Sequence, residues 1–141
     1  MSELDLKKRT KAFALRVLKL VDALPKTASG RALAAQLVRS GTSVAANYRA
    51  ARRAKSPAHF LSKLGDVEEE ADETLFWLEL LEESEIVPTK RLSALTKEAD
   101  ELVAIVVASI NTAKRKSEVG GRKSEPKRVP LPTSRFRLPP S

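Results

Sequence analysis

Apolar residues recur at three- and four-residue intervals through four successive stretches of the chain, the period of amphipathic helices. The first stretch, about Asp5 to Leu24, aligns Leu6, Phe13, Val17, Leu20 and Leu24 before Pro25 stops it. The second, about Ser29 to Ala54, aligns Leu33, Leu37, Gly41, Val44, Tyr48 and Ala51. Ser56-Pro57 then signals a new start: a serine oxygen caps the next helix, and proline sits where no amide donor is needed. The third stretch, about Pro57 to Glu85, carries Phe60, Leu64, Val67, Ala71, Leu75 and Leu78 at core spacing. Pro88-Thr89 breaks the chain again, and the fourth runs from about Thr89 to Lys114 with Leu92, Leu95, Ala99, Leu102, Val106 and Ala113 aligned. At 1.5 Å rise per residue these stretches span roughly 30 to 44 Å. Short connections between helices of similar length place neighbours antiparallel, so the expected fold is all-α, an up-down four-helix bundle.

Composition agrees with that expectation. Aromatics make up only 4% of the 141 residues, so the core must come from Leu, Val, Ile and Ala. The chain has length for one core, assigned to residues 1–115. Residues 116–141 form a basic, proline-rich tail: Gly120-Gly121 interrupts helical continuation, and five of the eight prolines fall between Pro126 and Pro140. Such a segment buries too little apolar surface to offset its ordering entropy and is expected to be flexible when unbound. With no cysteine there is neither a disulfide framework nor a thiolate metal site. No apolar run is long enough to span a bilayer or resemble a signal peptide, which makes the cytoplasm the expected location.

Charge is uneven, and its distribution says more than the total of +8. Ser29 to Lys55 holds six basic and no acidic residues, whereas Ser56 to Ile86 holds ten acidic residues opposed only by Lys63. On the second helix Ser40, Ser43 and Asn47 line one flank of the apolar seam, while Arg31, Arg49, Arg52 and Arg53 line the opposite side. Two readings of that edge stand side by side. Either the neighbouring acidic helix neutralises it, each exposed pair contributing under about 1 kcal/mol, or Arg49, Arg52, Arg53 and Lys55 remain free for a polyanion. Lys127-Arg128 in the tail suits phosphates or an acidic protein surface, or else serves only solubility.

Catalytic chemistry finds no foothold. Asp66, Glu69, Glu70 and Glu73 have the spacing of di-metal bundles, but those sites add histidines from two helices and this chain has only His59. Nucleophile elbows, phosphate-cradling glycine loops and zinc-binding histidine pairs are all missing. No enzyme activity, cofactor or metal is expected. Gly41 inside a helix costs about 1 kcal/mol relative to alanine, which points to close approach of another backbone, within the bundle or between subunits. Asn47 at the seam's rim is suited to tie helices together through its amide. Thr74 to Leu81 is apolar nearly all round, with Phe76 and Trp77 directed away from the main seam, so a second buried face is expected, covered by neighbouring helices or by other subunits.

Specific runs carry a family resemblance: Leu24-Pro25-Lys26, then Gln36-Leu37-Val38-Arg39-Ser40 leading into Thr42-Ser43-Val44-Ala45-Ala46-Asn47-Tyr48, then Arg53-Ala54-Lys55-Ser56 with Phe60 and Lys63-Leu64, and finally Glu70 to Leu81. In these the chain resembles the bacterial four-helix-bundle proteins encoded by intervening sequences within 23S ribosomal RNA genes, over about Phe13 to Lys114. Ala50 departs from that pattern, where glutamate is usual. More distantly the chain resembles accessory proteins of diversity-generating retroelements, which join a reverse transcriptase and its RNA. The resemblance implies a left-handed antiparallel bundle that assembles into a ring, a pentamer, with a basic surface suited to RNA or DNA; the residues read above as packing within the bundle or between subunits are Ser40, Gly41, Ser43, Asn47, Tyr48, Phe76 and Trp77. The expected function is a non-enzymatic, homo-oligomeric nucleic-acid-binding adaptor, using Arg49, Arg52, Arg53, Lys55, Lys127 and Arg128. The alternative is a protein-interaction scaffold that never engages nucleic acid directly.

Overall fold

Four helices follow one another in chain order, α1 Glu3–Asp22, α2 Ala28–Arg52, α3 Pro57–Glu83 and α4 Thr89–Gly121, in a computed structural model that describes residues 3–121. Thr27 begins α2: its backbone is extended, and its Oγ1 accepts the Gly30 amide at 3.1 Å. Ser56 does the same for α3, accepting the His59 amide at 3.0 Å with Pro57 in the first turn. The cap of α2 therefore lies two residues before the expected start, because Thr27 rather than Ser29 has the extended backbone a cap needs.

The α3–α4 turn depends on Glu85, whose φ of 61° lies in the left-handed region. A side chain there is strained, and glycine is the residue helices usually place one position past the cap. Glu85→Gly should raise stability by about 0.5–1 kcal/mol, read as a higher denaturation midpoint at unchanged slope.

Each helix packs against the next: α2 lies between α1 and α3, and α3 in turn lies against α4. The result is the up-down antiparallel bundle that the short connections imply. Contact between α1 and α4 is briefer. It is bridged by Arg9, which donates to Glu98 from Nε at 2.9 Å and from Nη2 at 2.6 Å, and to Glu101 at 3.2 Å. The hydrogen bond to Glu98 is the main reason the Arg9 pKa is raised above its already high ordinary value.

The core is aliphatic and continuous. Phe13, Val17, Leu37, Val44, Leu64 and Leu102 are all fully buried, as their spacing predicts. Ser40 and Thr74 are buried as well, on facing sides of the α2–α3 seam. Their hydroxyls lie 2.9 Å apart, and each also reaches the carbonyl four residues back in its own helix, at Gln36 and Glu70 respectively. The polar flank of α2 thus serves the inside of the bundle at Ser40. Gly41 meets a side chain and not a second backbone: a Cβ there would come within 2.9 Å of both Val17 methyls.

One boundary differs from expectation. α4 continues past residue 115 to Gly121, since no proline or glycine interrupts Lys114 to Val119. Residues 116–121 accordingly extend the helix, and Lys127 and Arg128 lie outside the described residues.

Candidate functional site

The second helix ends in its cations. Arg49 and Arg52 occupy the last turn of α2, and Arg53 follows as its cap residue. Positive charge at this end offsets the negative pole of the helix, a local contribution of about 0.3–1 kcal/mol. That contribution explains some of the basic run without invoking a ligand. It does not explain the absence of carboxylates, however: none of the ion pairs among the described residues involves Arg49, Arg53 or Lys55. All three side chains are exposed. Arg52 behaves differently, with its guanidinium carbon 5.7 Å from the centre of the Phe60 ring, in a cation–π arrangement across the α2–α3 turn. His59 braces the same turn by accepting the Lys55 amide at Nδ1, at 3.4 Å.

Beside this basic end lies a cleft of about 1040 Å³, bounded by the end of α2, the start of α3 and the last turns of α4. Its floor is apolar, built from Leu6, Tyr48, Ala51, Leu64 and Ile105. Its rim is cationic, with Arg52 and Lys55 on one side and Lys116 on the other. Among the described residues no Asp or Glu lines it.

The acidic face of α3 spends part of its charge elsewhere. Arg39, not a member of the basic edge, donates to Glu70 at 3.2 Å and to Glu73. Glu73 also accepts the Trp77 Nε1–H at 3.1 Å, and the Trp77 ring meets Phe76 edge-on at 5.0 Å. Trp77 packs partly against the core, while Phe76 stays 49% exposed. Within one chain, then, the second apolar face of α3 is only partly covered. Ser43 and Asn47 are half-buried, and none of the hydrogen bonds of the described residues involves the Asn47 amide. The helix-tying contact expected of Asn47 is thus not formed among the described residues; the polar contact across the α2–α3 seam is made two turns away, by Ser40 and Thr74. Among the described residues no group of three His, Cys, Asp or Glu is placed to share a metal ion, and no helix is long and apolar enough to cross a membrane.

The family model of the 23S rRNA-intervening sequence proteins matches residues 2–108. The chain belongs to that family. A solved structure of a protein of unknown function from the S23 ribosomal protein family, from Bacteroides thetaiotaomicron VPI-5482, is similar at 32% identity and a TM-score of 0.74, covering 79% of this chain and 99% of that one. Comparison with curated proteins finds no match.

The 23S rRNA-intervening sequence match ends at Ala108. Most of the α4 wall of the cleft, from Ser109 to Ser117, lies beyond it; Ile105 and Ala108 lie within it. The sequence groups Arg49, Arg52, Arg53 and Lys55 on one edge, and the structure places them in the last turn of α2 and the residues that follow it. Sequence reasoning missed Lys116, which was grouped with the tail, and it took Phe60 for an ordinary core position. A signal was present for Lys116: the helical register that aligns Val106 and Ala113 continues unbroken through it.

Proposed function

We propose that this protein is a non-enzymatic, homo-oligomeric adaptor that binds RNA or DNA through phosphate contacts at the basic end of its bundle. The observation that carries the reading is the cluster of Arg49, Arg53 and Lys55, exposed and, among the described residues, without a carboxylate at ion-pair distance, next to the cationic rim of Arg52 and Lys116. Charge of this kind grips a phosphate backbone and reads little sequence. The net charge of +8 supports attraction of a polyanion from a distance. Self-association, as the pentameric ring that the family resemblance implies, draws support from the half-exposed Phe76 and its partner Trp77. Action in the cytoplasm accords with a chain lacking cysteine.

Replacing Arg49, Arg52 and Arg53 together by alanine is expected to weaken binding about tenfold at physiological salt. It should also flatten the plot of log affinity against log salt by about 2 units, since each phosphate contact contributes roughly 0.7–0.9 to that slope. Titrations at several salt concentrations measure both quantities. An unchanged slope removes these arginines from the interface.

The exposed Phe76 also favours a second reading, a scaffold that docks a protein partner. Partners recovered with the tagged protein should be lost after nuclease treatment if nucleic acid bridges them. They should be retained if the protein is a scaffold alone.

A further inference from the structure

We propose that the cleft at the α2–α3 end of the bundle is a binding pocket for an unpaired nucleotide, with the base inward and the phosphate at the rim. This rests on the nucleic-acid reading above and narrows it from any polyanion to a strand that can release a base.

Three features of the cleft argue for that occupant. Its volume of about 1040 Å³ is at the upper end of the usual range for small-ligand sites, ample for one nucleotide. Three cations, Arg52, Lys55 and Lys116, line it, and no Asp or Glu does among the described residues, while the positive pole of α3 begins at Ser56 on the same rim. The guanidinium of Arg52 lies over the ring of Phe60, its carbon 5.7 Å from the ring centre, which puts a cation and an aromatic face, the two kinds of group on which bases of any identity stack, at the same mouth.

The walls discriminate among other occupants. Ser109, Thr112 and Ser117 give the α4 side a row of hydroxyls, which suits the polar edge of a base and not an acyl chain. The chain's own tail, from Arg122 onward, carries six Lys or Arg against Glu125 alone, the same sign as the rim, and is repelled by it. A double helix cannot fill the cleft either, because its bases are covered above and below by their neighbours. Only a single strand, a bulge or a strand end presents an uncovered base.

The test compares a labelled single-stranded RNA oligonucleotide with a blunt RNA duplex of the same sequence, using the full chain and fluorescence anisotropy. Single-stranded RNA is expected to bind about tenfold more tightly than duplex, the gain from stacking one base. Ala108→Trp, which places an indole in the cleft from its exposed α4 wall, is expected to erase that preference while leaving duplex binding unchanged. Thr112→Trp on the same wall serves as the second variant should the first fail to fold by circular dichroism. Equal binding of strand and duplex by the wild type, or an unaltered preference in the folded Trp variant, overturns the cleft proposal and leaves phosphate binding intact. A nucleoside monophosphate that binds as tightly as the oligonucleotide overturns the strand assignment in favour of a free nucleotide. A change of native mass in the Trp variant without any loss of RNA binding assigns the cleft to a second copy of the chain and overturns the proposal. Failure of the wild type to bind either RNA overturns the proposed function itself.

Discussion

Replacing Gly30 with alanine is expected to destabilise the protein by about 3 kcal/mol, more than the same change at Gly41 or Gly65. A Cβ at that position would lie 2.1 Å from the carbonyl oxygen of Pro25 and 3.1 Å from the Thr27 Oγ1 that caps α2. The obstacle is backbone, in a residue whose φ is already locked by its ring. Relief requires opening the α1–α2 turn, which also pulls Thr27 off the Gly30 amide and forfeits a cap contributing about 1 kcal/mol. Overpacking adds about 1–3 kcal/mol or more, against which alanine recovers only about 1 kcal/mol of helix propensity. Gly65 supplies the control, because a Cβ there meets nothing within 4 Å. Gly65→Ala should therefore stabilise by up to about 1 kcal/mol. Urea midpoints at constant slope measure both changes, and a Gly30→Ala protein as stable as wild type would show that the turn yields freely.

Gly30 also marks the limit of what could be read from residues alone. The helices themselves were legible: their apolar spacing is carried by Leu, Val and Phe side chains that are buried where predicted, from Phe13 and Val17 to Leu102 and Val106. Starts and stops were legible where the chemistry is local, as at Ser56-Pro57. The close passage of the Pro25 carbonyl over Gly30 was not, because it depends on the angle at which α1 leaves and α2 enters the turn. The same holds for charge. Counting cations and acids along the chain correctly predicts oppositely charged neighbours, α2 and α3, yet it assigns no partners. Arg39 pairs with Glu70 and Glu73, whereas none of the ion pairs among the described residues involves Arg49 or Arg53 at the end of the same helix. The cleft was hidden for a further reason: its lining comes from all four helices, and the cation on its far side, Lys116, belongs to a stretch whose basic composition reads as tail.

Gly41 and Val17 are expected to be energetically coupled, with substitutions at the two positions far from additive. Gly41→Ala alone should cost about 2 kcal/mol, because the new methyl would come within 2.9 Å of both Val17 methyls, themselves fully buried and restricted by β-branching to few rotamers. Val17→Ala alone removes two buried methyl groups and should cost about 2 kcal/mol, by lost transfer energy and the cavity left behind. In the double variant each change supplies what the other lacks. The alanine at position 41 occupies space vacated by the Val17 methyls, and the remaining Cβ-to-Cβ approach of 3.1 Å needs a shift of only a few tenths of an ångström. The double variant should then lose about 2 kcal/mol in place of the roughly 4 expected for independent sites, a coupling of about 2 kcal/mol measurable in a double-mutant cycle by denaturation. Strict additivity would mean that α1 can move away from α2 at no cost. In that case the α1–α2 seam would be held by its ends, through Leu24 and the Thr27 cap, and not by the fit of a valine into the space above a glycine.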